Sequence, residues 1–158
     1  MFQEAATAAL SNLRGVEPLD LTKRPPRGPR ERLDGVVLVP RTIDKMRASL
    51  PGGDLGGYKI PGFSTRLLAM IGVDEAELLE VVRTASSDED VAAWLHTHAD
   101  RSKYDAVNEH FEHASVDGLK DPEDYHRRYP VAKQRGLTNL FDVLEADDRD
   151  SFAGSTRR

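Results

Sequence analysis

An all-α fold is predicted by three features of this sequence. Apolar residues recur at spacings of three and four, capping residues precede those stretches, and strand-like alternation is scarce. The chain has 158 residues, 39% of them hydrophobic and 31% charged. That is enough for one compact domain burying roughly two thirds of its unfolded surface. The expected organisation is an N-terminal helical arm over 1–15, a single helical domain over 16–152, and a disordered tail over 153–158. Within the domain the periodicity predicts about seven short helices, preceded by an extended Pro-rich segment.

Residues 2–13 are Ala-rich and read as a short helix closed by Gly15. Pro18, Pro25 and Pro26 forbid a helix over 17–28, so that stretch is expected to be extended. Pro29 suits a first helical position with Gly28 as cap, which predicts a turn or two of helix there. Val36 to Val39 is the strongest β-branched run and reads as one short strand or a buried extended segment. Pro40 opens a helix running to Leu50, stopped by Pro51, Gly52 and Gly53. Five glycines and one proline then punctuate 52–62. With neither a preceding strand nor a following Gly-Lys-Ser/Thr, this is no phosphate-binding loop.

Helical pattern resumes over Phe63–Ile71 and ends at Gly72. Asp74 and Glu77 form a capping box for a helix carrying Leu78, Leu79, Val81 and Val82. Ser87 is the expected cap of a helix with Val91, Trp94 and Leu95 inward. Ser102 is expected to cap the next, with Tyr104, Val107 and Phe111 on one face. The spacing makes Trp94, Tyr104 and Phe111 core residues rather than a cofactor box. Asp121-Pro122-Glu123 starts a further helix with Tyr125 and Tyr129. Thr138 is expected to cap the last, an amphipathic segment with Leu140, Phe141, Val143 and Leu144 that packs on the core or docks on a partner. From Asp147 onward the polar sequence is expected to fray.

Composition excludes several function classes. There is no cysteine, hence no disulfide framework, thiolate zinc site, iron–sulfur cluster or cysteine nucleophile. No apolar run approaches 18 residues, so no membrane span is expected. The start, Met1-Phe2-Gln3-Glu4, lacks the basic and apolar regions of a secretory signal, and a cytoplasmic location is expected. The net charge of −5 is segregated. Residues 14–47 hold nine Lys/Arg against five Asp/Glu, whereas residues 74–124 hold four against fifteen. The acidic balance argues against nucleic acid as a partner, and no aromatic residue interleaves the basic stretch for base stacking. Opposed charges on the two halves fit a homo-oligomeric contact that salt would screen.

Two constellations could carry chemistry. On a helix opening at Pro40, Arg41 and Lys45 share a face, and free amide groups at the helix start favour an anion. With Arg27 and Arg30 beside them, the four cations Arg27, Arg30, Arg41 and Lys45 form the candidate ligand-binding site. Its ligand would be an anionic small molecule or an acidic protein segment. The rival arrangement is an internal salt-bridge lattice in which Asp34 and Asp44 neutralise the arginines. On this reading Arg41→Ala abolishes ligand binding and leaves helical content intact. The lattice reading instead expects that substitution to unfold the domain.

The second constellation is Glu109, His110 and His113, a candidate metal site that His96 or His98 could complete. Its order of groups is not that of a His-Glu-x-x-His zinc motif, and a solvated acidic helix with two incidental histidines is the plainer reading. Asp44 and Tyr58 are possible proton donors if buried. No Gly-x-Ser-x-Gly elbow is present, and Ser64, Ser86 and Ser87 suit caps or loops.

Three stretches resemble one family: Leu19–Arg27 with Pro29–Leu33, then Pro40–Ala48 with its Arg41-Thr42-Ile43-Asp44-Lys45 block, then Leu140–Leu144 with Asp147, Asp148, Ser151 and Phe152. They resemble the bacterial domain-of-unknown-function family numbered 5069, over about residues 17–152. The resemblance implies a mostly helical bacterial protein and carries no activity, cofactor or catalytic residue set. The family commonly has a Trp-Asn pair where this chain has Val107-Asn108. The sequence thus points to a non-catalytic anion-binding module; the alternatives are a metal-assisted enzyme and a homo-oligomeric interaction protein.

Overall fold

The computed structural model describes residues 17–153, so the helix expected over 2–13 and residues 154–158 lie outside it. Residues 17–28 form no helix, as their prolines require, but a turn at 21–23, with Lys23 N–H donating to the Asp20 carbonyl at 3.3 Å, interrupts their extended course. Leu21 N–H donates to the Asp54 carbonyl at 2.8 Å, and Asp54 N–H donates to that of Leu19 at 3.0 Å. These bonds pin the Gly-rich loop against the extended segment. Gly53 is needed where that loop folds back, because a Cβ there would lie 2.5 Å from the Ala48 carbonyl oxygen.

A hairpin follows, with β1 (Arg32–Leu33) antiparallel to β2 (Val36–Val37) and Leu33 opposite Val36. It replaces the helix expected at Pro29. The reason is the two-residue turn Asp34-Gly35, at φ 51° and 79°. Asp-Gly is a strong hairpin signal because both central residues of that turn need positive φ. The ribbon is held from across the fold by Asn108, whose Oδ1 accepts from Val37 N–H at 2.9 Å. Its Nδ2 donates to the Gly35 carbonyl at 2.8 Å. Asn108→Ala would leave a buried N–H and a carbonyl without partners, a loss of about 2–3 kcal/mol. A urea midpoint unchanged from the parent protein would refute that role.

Eight α-helices follow among the described residues: α1 (Val39–Ser49), α2 (Phe63–Met70), α3 (Glu75–Thr84), α4 (Asp88–His98), α5 (Tyr104–Glu112), α6 (Pro122–Arg128), α7 (Pro130–Gln134) and α8 (Leu140–Ala153). The fold is therefore all-α in the sense expected, with one helix more. Asp74 accepts from Glu77 N–H and Ser87 from Asp90 N–H, as their capping patterns predict. Two caps differ. Asp100, not Ser102, accepts at the short 3₁₀ turn Arg101–Lys103 that leads into α5. Asn139, not Thr138, caps α8, taking the amides of Phe141 and Asp142. At α8 the Asn amide outranks the Thr hydroxyl as a cap, whereas Ser102 lies inside its turn and donates both its N–H and its hydroxyl to Asp100. Ser64 is neither cap nor loop: it is buried in α2, its hydroxyl 2.8 Å from that of Thr42.

Two adjoining apolar clusters form the core. The larger surrounds α1 through Ile43 and Met46, packed with residues such as Leu67, Leu95 and Phe111. The smaller gathers Val116, Tyr125 and Val131. Helix α8 serves both, giving Phe141 and Leu144 to the first and Leu140, Val143 and Ala146 to the second. This segment thus packs internally. It also stays helical to Ala153, correcting the expectation that the chain frays from Asp147. Tyr104 and Phe111 are buried, while Trp94 is half-buried and stacks on His98 with centroids 4.3 Å apart. No helix among the described residues is long and apolar enough to cross a membrane.

Candidate functional site

Helix α1 opens beneath Leu38, a buried residue held at φ 68°. Pro40 occupies the first turn, where its missing N–H costs nothing. The next residue, Arg41, is only 3% exposed. Its Nη1 donates to Asp148 Oδ2 at 2.7 Å and its Nη2 to Oδ1 at 3.2 Å, a two-pronged pair between α1 and α8. Nη1 also reaches the Arg27 carbonyl at 3.2 Å. Tyr58, in the loop that Gly53 folds back, donates its hydroxyl to Asp148 Oδ1 at 2.8 Å. The Arg41 guanidinium lies over the Tyr58 ring, 5.6 Å from its centroid. Burial and the Asp148 charge together push the Tyr58 hydroxyl pKa up, so it remains a donor rather than a proton source.

Lys45 sits one turn beyond Arg41 on the same face. It is half-buried, yet its ammonium forms no hydrogen bond or ion pair with any described residue. Both oxygens of the nearby Asp148 are already taken by Arg41 and Tyr58. Desolvation, then repulsion from Arg41, pushes the Lys45 ammonium down to about 8, with Asp148 opposing. Asp147 alongside is raised, chiefly by burial and then by Asp148. Five buried side-chain atoms lack a hydrogen-bond partner among the described residues: Arg41 Nε, Arg47 Nε and Nη2, the Tyr125 hydroxyl and His126 Nδ1.

The other expected cations are engaged elsewhere. Arg27 accepts no role at the Lys45 face: its backbone N–H, Nε and Nη2 all donate to Asp44, and Nη1 pairs with Asp88. Asp88 also pairs with Arg47 at 3.5 Å. Arg30 bonds Asp142 at 2.7 Å and Glu145 at 2.8 Å on α8, over the Phe141 ring. Asp44 is therefore a lattice anion and no free proton donor. Asp34 pairs with no arginine among the described residues, accepting instead from Tyr104 at 2.7 Å and lying 3.1 Å from His96. The structure brings Arg41 and Lys45 together and gives Arg27 and Arg30 to separate carboxylate pairs.

Glu109, His110 and His113 line a cleft of about 330 Å³ together with Phe63, Arg66 and Leu119. Among the described residues, no three His, Asp or Glu side chains group so as to hold a metal ion. His96 turns to Asp34, and His98 stacks on Trp94, so neither reaches that cleft.

Asp148 is the central residue that sequence reasoning missed. Its signal was present: Phe141, Leu144 and Asp148 fall three and four apart, so an acid continues the buried face of α8. An acid at such a position needs a cation partner. A family model described as Domain of unknown function (DUF5069) matches residues 23–150. The chain belongs to that family. Every residue from Arg27 to Asp148 that builds the lattice and the Lys45 face lies within the DUF5069 match. No curated protein matches the chain.

Proposed function

We propose that this DUF5069 protein is a non-catalytic binding module for an anionic small molecule, which docks on Lys45 beside the Arg41–Asp148 pair. The observation that carries this reading is that the Lys45 ammonium has no partner among the described residues. Of the four cations suggested by the sequence, three already face carboxylates. An anion gains most where an ammonium is partly desolvated and uncompensated, because screening there is weak. Arg41 then positions the face, keeping Asp148 from capturing the lysine. A half-buried contact point favours a small ligand over a protein segment. The setting we propose is a bacterial cytoplasm.

Titration of the full chain with inorganic phosphate and with malonate, read by thermal shift and calorimetry, tests this. The expected result is saturable binding that weakens as pH rises through about 8, where Lys45 loses its proton. Lys45→Met should weaken binding about tenfold or more, the loss of one charge-assisted contact. Lys59→Met, at an exposed lysine, should leave it unchanged. Equal binding by the Lys45→Met protein overturns the assignment. A poly-glutamate peptide that outcompetes malonate would transfer the site to acidic protein segments.

A further inference from the structure

We propose that Lys45 captures its ligand covalently and reversibly as an imine, and that the ligand class is a small carboxylate bearing an aldehyde or ketone, such as a 2-oxo acid. The inference rests on the anion-site reading above and adds a chemical step to it. Three geometric facts carry it. Of the six lysines in the chain, five are exposed and Lys45 is half-buried. Its nitrogen has no carboxylate partner among the described residues, and Arg41 and Tyr58 occupy both oxygens of Asp148. And the group one helical turn away is a second cation, Arg41, itself buried. A lysine desolvated beside another cation is the arrangement that yields a free amine near neutral pH. The depressed Lys45 pKa, about 8, follows from the same neighbours.

The step balances without any oxidant or reductant. The Nζ lone pair attacks the carbonyl carbon, and the C=O π pair moves to oxygen, which takes a proton from water. Nζ returns a proton to solvent, giving a carbinolamine. The carbinolamine hydroxyl then takes a proton from solvent and leaves as water, with the nitrogen lone pair closing the C=N bond, to give the protonated imine. Its positive charge lies at the position the ammonium held, so it still faces the ligand's carboxylate. Hydrolysis by the reverse path releases the ligand.

Lys45 faces Arg41 on its own helix and Asp148 on α8. Tyr58 from the loop, Asp147 from α8 and Tyr129 from between α6 and α7 also act on that pair.

Reductive trapping tests the proposal. The full chain is incubated at pH 7.5 with glyoxylate and cyanoborohydride, which delivers hydride to the imine carbon, and modified lysines are mapped by peptide mass. Lys45 should be labelled about tenfold faster than any exposed lysine, the gain in free amine being partly offset by its weaker basicity. Its rate should reach half-maximum near pH 8. Lys45→Arg keeps the cation and should abolish trapping on this helix while retaining phosphate binding. Labelling of Lys45 no faster than Lys23, Lys59 or Lys133 overturns the covalent step, whatever the phosphate titration shows. Equal trapping of propionaldehyde, which lacks a carboxylate, overturns the ligand class and with it the anion reading, but keeps the reactive amine.

Discussion

Arg41→Ala is expected to destabilise the domain by about 3–5 kcal/mol, the cost of removing one partner from a buried ion pair. Asp148 is 7% exposed and would be left with the Tyr58 hydroxyl alone. The Arg27 carbonyl would lose its guanidinium donor, and the Tyr58 ring its stacked cation. From sequence, the ligand-site reading expects this substitution to spare the fold and the lattice reading expects it to unfold the domain. Burial of the pair favours the second outcome at this position. Chemical denaturation of the two proteins side by side measures the difference.

The double variant Arg41→Met with Asp148→Leu should recover more than half of the loss, since it removes both charges instead of stranding one. If Arg41→Ala falls within about 1 kcal/mol of the parent, as an exposed pair would, the pair does not hold α1 to α8. The helix count alone will not report this: α1 is also fixed by Ile43 and Met46, both fully buried.

Helices were legible in the sequence where local chemistry decides them. Asp74, Ser87 and Asp121 each satisfy an amide three residues on, so pattern and structure agree. Where two local signals compete, legibility fails. Pro29 suggested a helix start, but Asp34-Gly35 a few residues later closes a hairpin. That hairpin also gains the long-range Asn108 bonds, which no local pattern encodes. Thr138 and Asn139 are adjacent candidates for one cap, and the amide side chain prevails.

The candidate site was legible only as a set of cations. Which carboxylate each would meet depends on contacts of long sequence separation: Arg41 to Asp148 spans 107 residues and Arg27 to Asp88 spans 61. The pairing leaves Lys45 over, and that remainder is a property of the fold rather than of the Pro40–Ala48 block. Reading Asp148 as part of the apolar stripe of α8, rather than of a fraying tail, would have supplied the missing partner.

Lys45→Met is expected to do the opposite of Arg41→Ala and stabilise the protein, by about 2–3 kcal/mol at pH 7. Lowering the ammonium from 10.5 to about 8 means the folded state binds that proton more weakly than the unfolded chain, by ~3 kcal/mol. The folded lysine loses its proton first, so between about 8 and 10.5 the unfolded state holds more protons and wild-type stability rises with pH. Below about 8 both states are protonated and the penalty is fully present; above 10.5 it is gone.

Methionine keeps the unbranched stem and removes the charge, so its advantage should be largest at neutral pH and shrink towards zero near 10.5. The buried tyrosines, raised by desolvation, act oppositely above their ordinary 10.0, but they are common to both proteins and cancel in the difference. Urea unfolding of both across this range gives the curve. A gap that does not change with pH, or a wild type more stable at pH 7, would show that Lys45 is compensated in solution. A gap that closes as pH rises identifies the ammonium as a strained group held in place by the fold. An anion bound there would then offset that strain, so that ligand binding and stability are linked through the same nitrogen.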